Sequence, residues 1–170
     1  MTPKPQYSKD LIVDSAFEIA REEGLDSITI RKVAKKMDAS VAPIYVNFND
    51  MNELKEAVIK KIYEVSHQFY LEHNTGNPFH DIGIASLKFA KEYPVIFRDL
   101  VMKYNDHMKN YDEEMGFLIE EMKNDPELEG LSEEALKTIL LKMRVFQLGL
   151  SVMAANGLLP ENFTEEMMVE

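Results

Sequence analysis

Apolar residues recur along this chain at the helical spacings of three and four, and polar and turn-forming residues divide them into segments. The pattern predicts a first helix from Ser8, its N-cap, to about Glu23, with Ile12, Ala16, Ile19 and Ala20 facing inward and Gly24 as a left-handed stop. A second helix runs from Ile30 to Met37 behind Thr29, another good N-cap, and turns Val33 and Ala34 inward. Asp38 and Ala39 make a turn, and Asp38 tolerates the left-handed conformation such a turn needs. Ser40 is placed to cap a third helix from Val41 to about Asn47. Pro43 falls in its first turn, where a missing N–H removes no intrahelical bond. Ile44 and Phe48 face inward, leaving Val41, Pro43, Tyr45, Val46 and Asn47 largely outside. A helix this short does not stand alone in water and must be carried by its neighbours. A carried short helix after a tight turn is the geometry by which helix-turn-helix proteins present a recognition helix to the major groove.

The pattern then lengthens. Asp50 and Glu53 have capping-box spacing for a fourth helix, along which Leu54, Val58, Ile62, Val65 and Phe69 continue for about five turns. Asn74 to Pro78 breaks it by turn chemistry. A helix over 79–93 with Ile82, Leu87, Phe89 and Ala90 follows, and Pro94 opens the next. Tyr104 to Lys123 is acidic and Met-containing, and Asn124, Pro126 and Gly130 mark another break. Ser132 caps a last helix reaching Asn156, with Glu133 and Glu134 favourably placed in its first turn. Leu136, Ile139, Leu140, Met143, Phe146, Leu150 and Met153 line one side of it, while Leu141, Val145, Leu148 and Val152 lie on others. A helix apolar all round must be covered all round. A chain of this size has few elements to do so, which predicts a homodimer through residues 132–157, where Gly149, Ser151, Ala154 and Ala155 allow close approach. A purely intramolecular core helix is the alternative.

Gly24, Thr29, Val33-Ala34, Ser40, Ile44-Tyr45 and Phe48 together resemble the DNA-binding half of the TetR family of transcriptional regulators, over roughly residues 8 to 60. Three positions depart from the family's habit: Asp38 where Gly is usual in the turn, Asn47 where His is common, and Met51 where a phosphate-touching Lys is common. Ile84 to Met102 resembles, more loosely, a C-terminal subfamily in which an Ala-rich helix ends at an aromatic-Pro step before an aromatic-Arg pair, here Phe97-Arg98. The resemblance implies an all-α, TetR-like chain with a helix-turn-helix DNA-binding domain in residues 1–52. A larger helical effector-binding and dimerisation domain fills residues 53–170, and the fourth helix connects the two. It implies a homodimer on a palindromic double-stranded DNA operator, repressing until a small-molecule effector spreads the heads. A helical interaction protein that kept the fold without operator binding is the runner-up, and a small helical enzyme the third reading.

A net charge of -11 looks wrong for a DNA binder until it is divided. Residues 1 to 61 hold 10 Lys+Arg and 10 Asp+Glu, whereas residues 62 to 170 hold 9 and 20, so all the excess acidity lies in the second part. Arg31, Lys32, Lys35 and Lys36 crowd the second helix near Lys4 and Lys9, the start of a phosphate-facing patch. Lys9, Thr29, Arg31, Lys32, Ser40, Val41, Pro43, Tyr45 and Asn47 are the candidate DNA contacts. The third helix has no Arg or Lys and cannot form the Arg-to-guanine forks of direct readout. Base reading should therefore rest on apolar contacts to thymine methyls and on Asn47, with Tyr45 on phosphate and Lys9, Arg31 and Lys32 supplying charge.

The remaining chemistry is sparse. There are no cysteines, hence no disulfide or thiolate site. Residues 1–8 are polar, without the apolar core of a signal peptide, and the longest uncharged run, Val145 to Pro160, is too short to span a bilayer. Both point to a cytoplasmic protein without a membrane segment. Glu64 and His67 form half of a di-iron carboxylate pattern, but Tyr70, Asn77 and Tyr104 precede the other three histidines by three residues, so no metal is expected. No phosphate loop or nucleophile elbow occurs, so neither catalytic residues nor a cofactor are expected. Eleven Met, 9 Phe and 7 Tyr suit an adaptable apolar cavity. Tyr63, Tyr104, His107, Arg144 and Gln147 are the polar candidates for lining it and binding an effector.

Overall fold

The structure, a computed structural model, describes residues 7–72, 78–101, 116, 118–120, 122–124, 126–164 and 167, and every regular element among them is helical. Helix α1 (Lys9–Glu23) starts where expected, with the Ser8 hydroxyl accepting the Leu11 N–H at 3.2 Å. Gly24 ends it at φ 93, ψ 163, so the stop uses positive φ with an extended ψ in place of the left-handed helical geometry anticipated for it. The chain turns directly into a single 3-10 turn, Leu25–Ser27. Thr29 accepts the Lys32 N–H at 3.2 Å to open α2 (Ile30–Lys36). Asp38 at φ 50 is the one positive-φ residue other than glycine among the described residues, as its place in the turn required.

Helix α3 (Ala42–Asn47) corrects one expectation. Its N-cap is Val41, already in helical conformation and without a side-chain cap, so Ser40 stands one residue too early to reach the free amides of the first turn. What holds α3 is burial. Ile44 and Phe48 sink into a core with Ile12, Ala16, Ala20, Val33, Leu54 and Val58. At about 1.5–3 kcal/mol for each large apolar side chain buried, two such anchors outweigh the poor intrinsic stability of six residues.

Helix α4 (Met51–Leu71) is capped by Asp50, which accepts the N–H groups of Asn52 and Glu53 at 2.8 and 2.9 Å. Glu53 closes the box one residue early, on the Asn49 N–H at 2.8 Å. Leu54, Val58 and Ile62 are buried as their spacing predicted. Pro78 and Pro94 open α5 (Pro78–Glu92) and α6 (Pro94–Val101), while residues 74–77 of the expected break lie outside the described residues. The head's core continues into this second part: Phe89, Ala90, Ile96 and Phe97 join the same cluster. Tyr93 packs edge-on against Phe17 of α1 at 5.7 Å between ring centres.

Ser132 caps the last helix, α7 (Glu133–Ala155), by accepting the Ala135 N–H at 3.2 Å. The helix ends in a Schellman pair, Leu158 N–H to the Met153 carbonyl at 2.8 Å and Gly157 N–H to that of Ala154 at 3.1 Å, with Gly157 at φ 66. Its Leu136 and Leu140 pack against Ile119 and Met122. Ser151 meets Ser86 of α5 hydroxyl to hydroxyl at 3.3 Å, and Arg98 of α6 donates to Asn156 at 3.4 Å. By length and composition α7 would also serve to cross a bilayer, which counting its uncharged run did not register. Lys137, Lys142 and Arg144 interrupt it, and its inner side is occupied by protein.

Candidate nucleic-acid interface

Ile44 and Phe48 define the side of α3 turned to the core, and Val46, two residues from each, points directly away from it. Val46 is 84% exposed and Tyr45 60%, with Val41 exposed beside them and Pro43 half-buried. An outward helix face of this kind is what a groove-reading element offers. Asn47 does not belong to that face as a free donor: its side-chain amide gives hydrogen bonds to the Pro43 carbonyl at 2.8 Å and the Tyr7 carbonyl at 3.4 Å. It closes the last turn of α3 and fastens the start of the N-terminal arm.

The cations of α2 fall into two pairs. Lys32 and Lys36 are drawn back to α1 by Glu23 and Glu22, at 2.5 and 2.9 Å. Arg31 and Lys35, one turn apart on the other flank and both exposed, have no ion pair among the described residues. Lys9 bonds Glu53 at 3.2 Å and lies 4.7 Å above the ring of Phe48. Exposed pairs of this sort contribute only about 0–1 kcal/mol, so phosphate can compete for their cations. Hydrogen bonding from the Asn49 N–H, then the nearby Lys9, holds the Glu53 carboxyl below its ordinary value of 4.5. A depressed carboxyl supports the fold above that ordinary value, and the support is lost as pH falls through the lowered one.

Of the other expected contacts, Thr29 spends its hydroxyl on the α2 cap, and Ser40 lies exposed in the turn, capping nothing. Lys55, one turn after Met51, also has no ion pair among the described residues, and it can stand in for the lysine that Met51 replaces. Spacing from Met51 was the signal for it in the sequence.

A long-range hydrogen bond joins the turn before α2 to the second part of the chain. Asp99 of α6 accepts the Leu25 N–H at 2.7 Å across 74 residues. A Cβ on Gly24 would meet the same Asp99 oxygen at 2.6 Å. No local pattern announces a bond that only the packing of α6 on α1 creates.

The effector candidates are dispersed. Tyr63 is exposed on α4, whereas Arg144 and Gln147 are half-buried on the side of α7 that carries Ser151 toward α5. Tyr104 and His107 lie outside the described residues. Asp81 of α5 is buried and was not anticipated, although an acid in register with Ile84 and Ala85 on an apolar stripe was its signal. His67 packs against Tyr70, Glu64 pairs with Lys60 at 3.8 Å, and no three potential metal ligands converge among the described residues.

Residues 12–58 match the family model described as bacterial regulatory proteins, tetR family. The chain is similar to the uncharacterized HTH-type transcriptional regulator YobS of Bacillus subtilis (strain 168), 23% identical over 62% of this chain and 58% of that one. It is also similar to the tetracycline repressor protein class D of Escherichia coli, 24% identical over 61% of this chain and 44% of that one. The chain thus spans about half the length of the curated relatives it matches. A solved structure of a TetR family protein from Vibrio parahaemolyticus superposes with a TM-score of 0.61 at 15% identity, over 91% of this chain and 89% of the other, and so shares its fold.

Proposed function

We propose that the chain is a TetR-family transcriptional regulator that binds a palindromic double-stranded DNA operator as a homodimer and represses until a small-molecule effector releases it. The observation that carries this reading is the outward face of α3, bare of protein, following a helix that keeps Arg31 and Lys35 unpaired among the described residues. In the proposal α3 enters the major groove, and Arg31, Lys35, Lys9 and Lys55 hold the flanking phosphates. Lys32 contributes after leaving Glu23. Residues 1–52 act as the reading head and 53–170 as the effector and dimerisation part, with α4 as the connector between them.

The acidic second part repels the duplex, so only the heads are attracted, and binding away from the operator is weak. The effector would enter between 79–123, of which 102–115, 117 and 121 lie outside the described residues, and α7, near Arg144 and Gln147, and it can act only through different affinities for the two head spacings. A cytoplasmic location goes with the same reading. The runner-up, an interaction protein without operator binding, draws on Met51 and on the ion pairs that occupy Lys9, Lys32 and Lys36.

Fluorescence anisotropy with duplexes from the protein's own genomic neighbourhood tests the choice. One duplex is expected to bind at low salt at least a thousandfold more tightly than scrambled DNA. Failure to bind any duplex at low salt would leave the runner-up.

A further inference from the structure

The outward face of α3 is chemically one-sided. Val41, Tyr45 and Val46 are exposed on it, the Asn47 amide is spent on two carbonyls, and Pro43 has no N–H. No Arg, Lys, Gln, Asp or Glu lies within α3. In the major groove, guanine is read by a forked donor, adenine by an amide, and cytosine by an acceptor on its exocyclic amine. No forked donor and no free amide is available on α3, and the Tyr45 hydroxyl is the one polar group on its exposed side chains. The one base-edge group that exposed valines match is the C5 methyl of thymine, the apolar feature of the groove's code. Arg31 and Lys35 supply the positive charge that brings this apolar face against a polyanion.

We infer that α3 reads C5-methyl groups of pyrimidines, with Val46 as the principal reader and Val41 beside it. The inference rests on the operator-binding reading above and names the chemistry that reading leaves open. It has a consequence beyond thymine: 5-methylcytosine carries the same methyl in the same place. A cytosine at a read position is therefore a poor partner until it is methylated, and binding at such a site responds to cytosine methylation.

The test uses the full chain and a duplex selected from a random library for tight binding. Each thymine of one half-site is replaced in turn by deoxyuridine, which removes only the methyl. In a parallel set, the same base pairs become cytosine–guanine with and without the C5 methyl. Deoxyuridine at one or more positions should weaken binding about fourfold, the value of one buried methyl-sized group. The methylated cytosine duplex should bind about fourfold more tightly than its unmethylated twin.

Val46→Ala alters a side chain on the surface, so its fold is preserved and circular dichroism verifies this. It should abolish the deoxyuridine effect at one position. Specific binding that ignores deoxyuridine throughout the half-site overturns the inference and leaves the operator reading standing. Sensitivity that survives unchanged in Val46→Ala and in Val41→Ala overturns it as well. Absence of binding to any duplex removes both readings together.

Discussion

At the scale of single residues, the structure separates cations that the sequence lumped together. The charge run of α2 was visible, but its division was not, because Glu22 and Glu23 belong to the neighbouring helix and come into reach only when α1 and α2 pack. Arg31→Ala should lower affinity for operator and scrambled duplex alike and reduce the slope of log affinity against log salt by about 0.9, one phosphate's share. Lys32→Ala should change the slope less, since its charge is already balanced by Glu23. Titrations of the two variants over a salt series compare them directly, and a larger loss for Lys32 would reverse the assignment. Glu53→Gln should have the opposite sign. It keeps an oxygen for the Asn49 N–H and frees Lys9, so affinity for every duplex should rise severalfold, and Lys9→Ala in the same chain should cancel the gain. Caps were legible because their partners lie two or three residues away, as at Ser8, Thr29, Asp50 and Ser132. The role of Asn47 was not, since the Tyr7 carbonyl it holds is 40 residues distant.

At the scale of elements, helical periodicity and capping residues placed the start of each helix from α1 to α7 to within a residue, because one face of each is anchored in the core. The join between elements escaped it. Gly24 looks like an ordinary helix stop, yet its φ and ψ fall in a region open essentially to glycine, and Asp99 fills the space a side chain would need. Gly24→Ala should therefore destabilise the protein by about 2 kcal/mol or more, through backbone strain alone of order 1–3 kcal/mol together with the clash. Asp99→Ala should cost about 1–3 kcal/mol by leaving the Leu25 N–H without its acceptor, and Asp99→Asn, which keeps an oxygen, should cost less. The double variant is the informative one. Removing the carboxylate relieves the clash but not the strain, so denaturant unfolding should show the two losses adding to less than their sum. Strict additivity would mean that Asp99 does not press on this turn. Because Asp99 ties α6 to the loop entering α2, and Arg98 ties α6 to the end of α7, the same bonds give α6 a hold on both the head and the last helix.

At the scale of the whole molecule, the acidic and balanced parts could be separated by counting charges, but the halves of α7 could not be told apart. Its apolar residues run round the helix, and only packing decides which are covered. Leu136, Leu140 and Ser151 are buried, while Leu141 at 59% exposed and Val145 at 64% stand out with Leu148 and Phe146. Leu141, Val145 and Leu148 follow one another at spacings of four and three on one stripe that ends before Val152, which is partly buried against the protein's own core, and Gly149 lies on its edge, small enough for a second helix to approach. Isolated exposed apolar residues need no explanation, but a contiguous stripe of them marks an interface. Because α7 contributes this stripe once per chain, a two-fold axis through it makes the patch its own partner. The prediction is a dimer at micromolar concentration, and Leu148→Glu, which places a charge at the centre of the stripe, should raise its dissociation constant at least tenfold, or about 1.4 kcal/mol. Helix content should be unchanged, since the inner side of α7 keeps its own contacts. Operator affinity should fall with the dimer, because two linked heads bind far more tightly than two separate ones, and each half-site should then be filled independently. Sedimentation of the two proteins measures the first effect and titration on full and half operators the second. A folded, monodisperse monomer for the unaltered chain would overturn the interface and, with it, the linked-head account of binding.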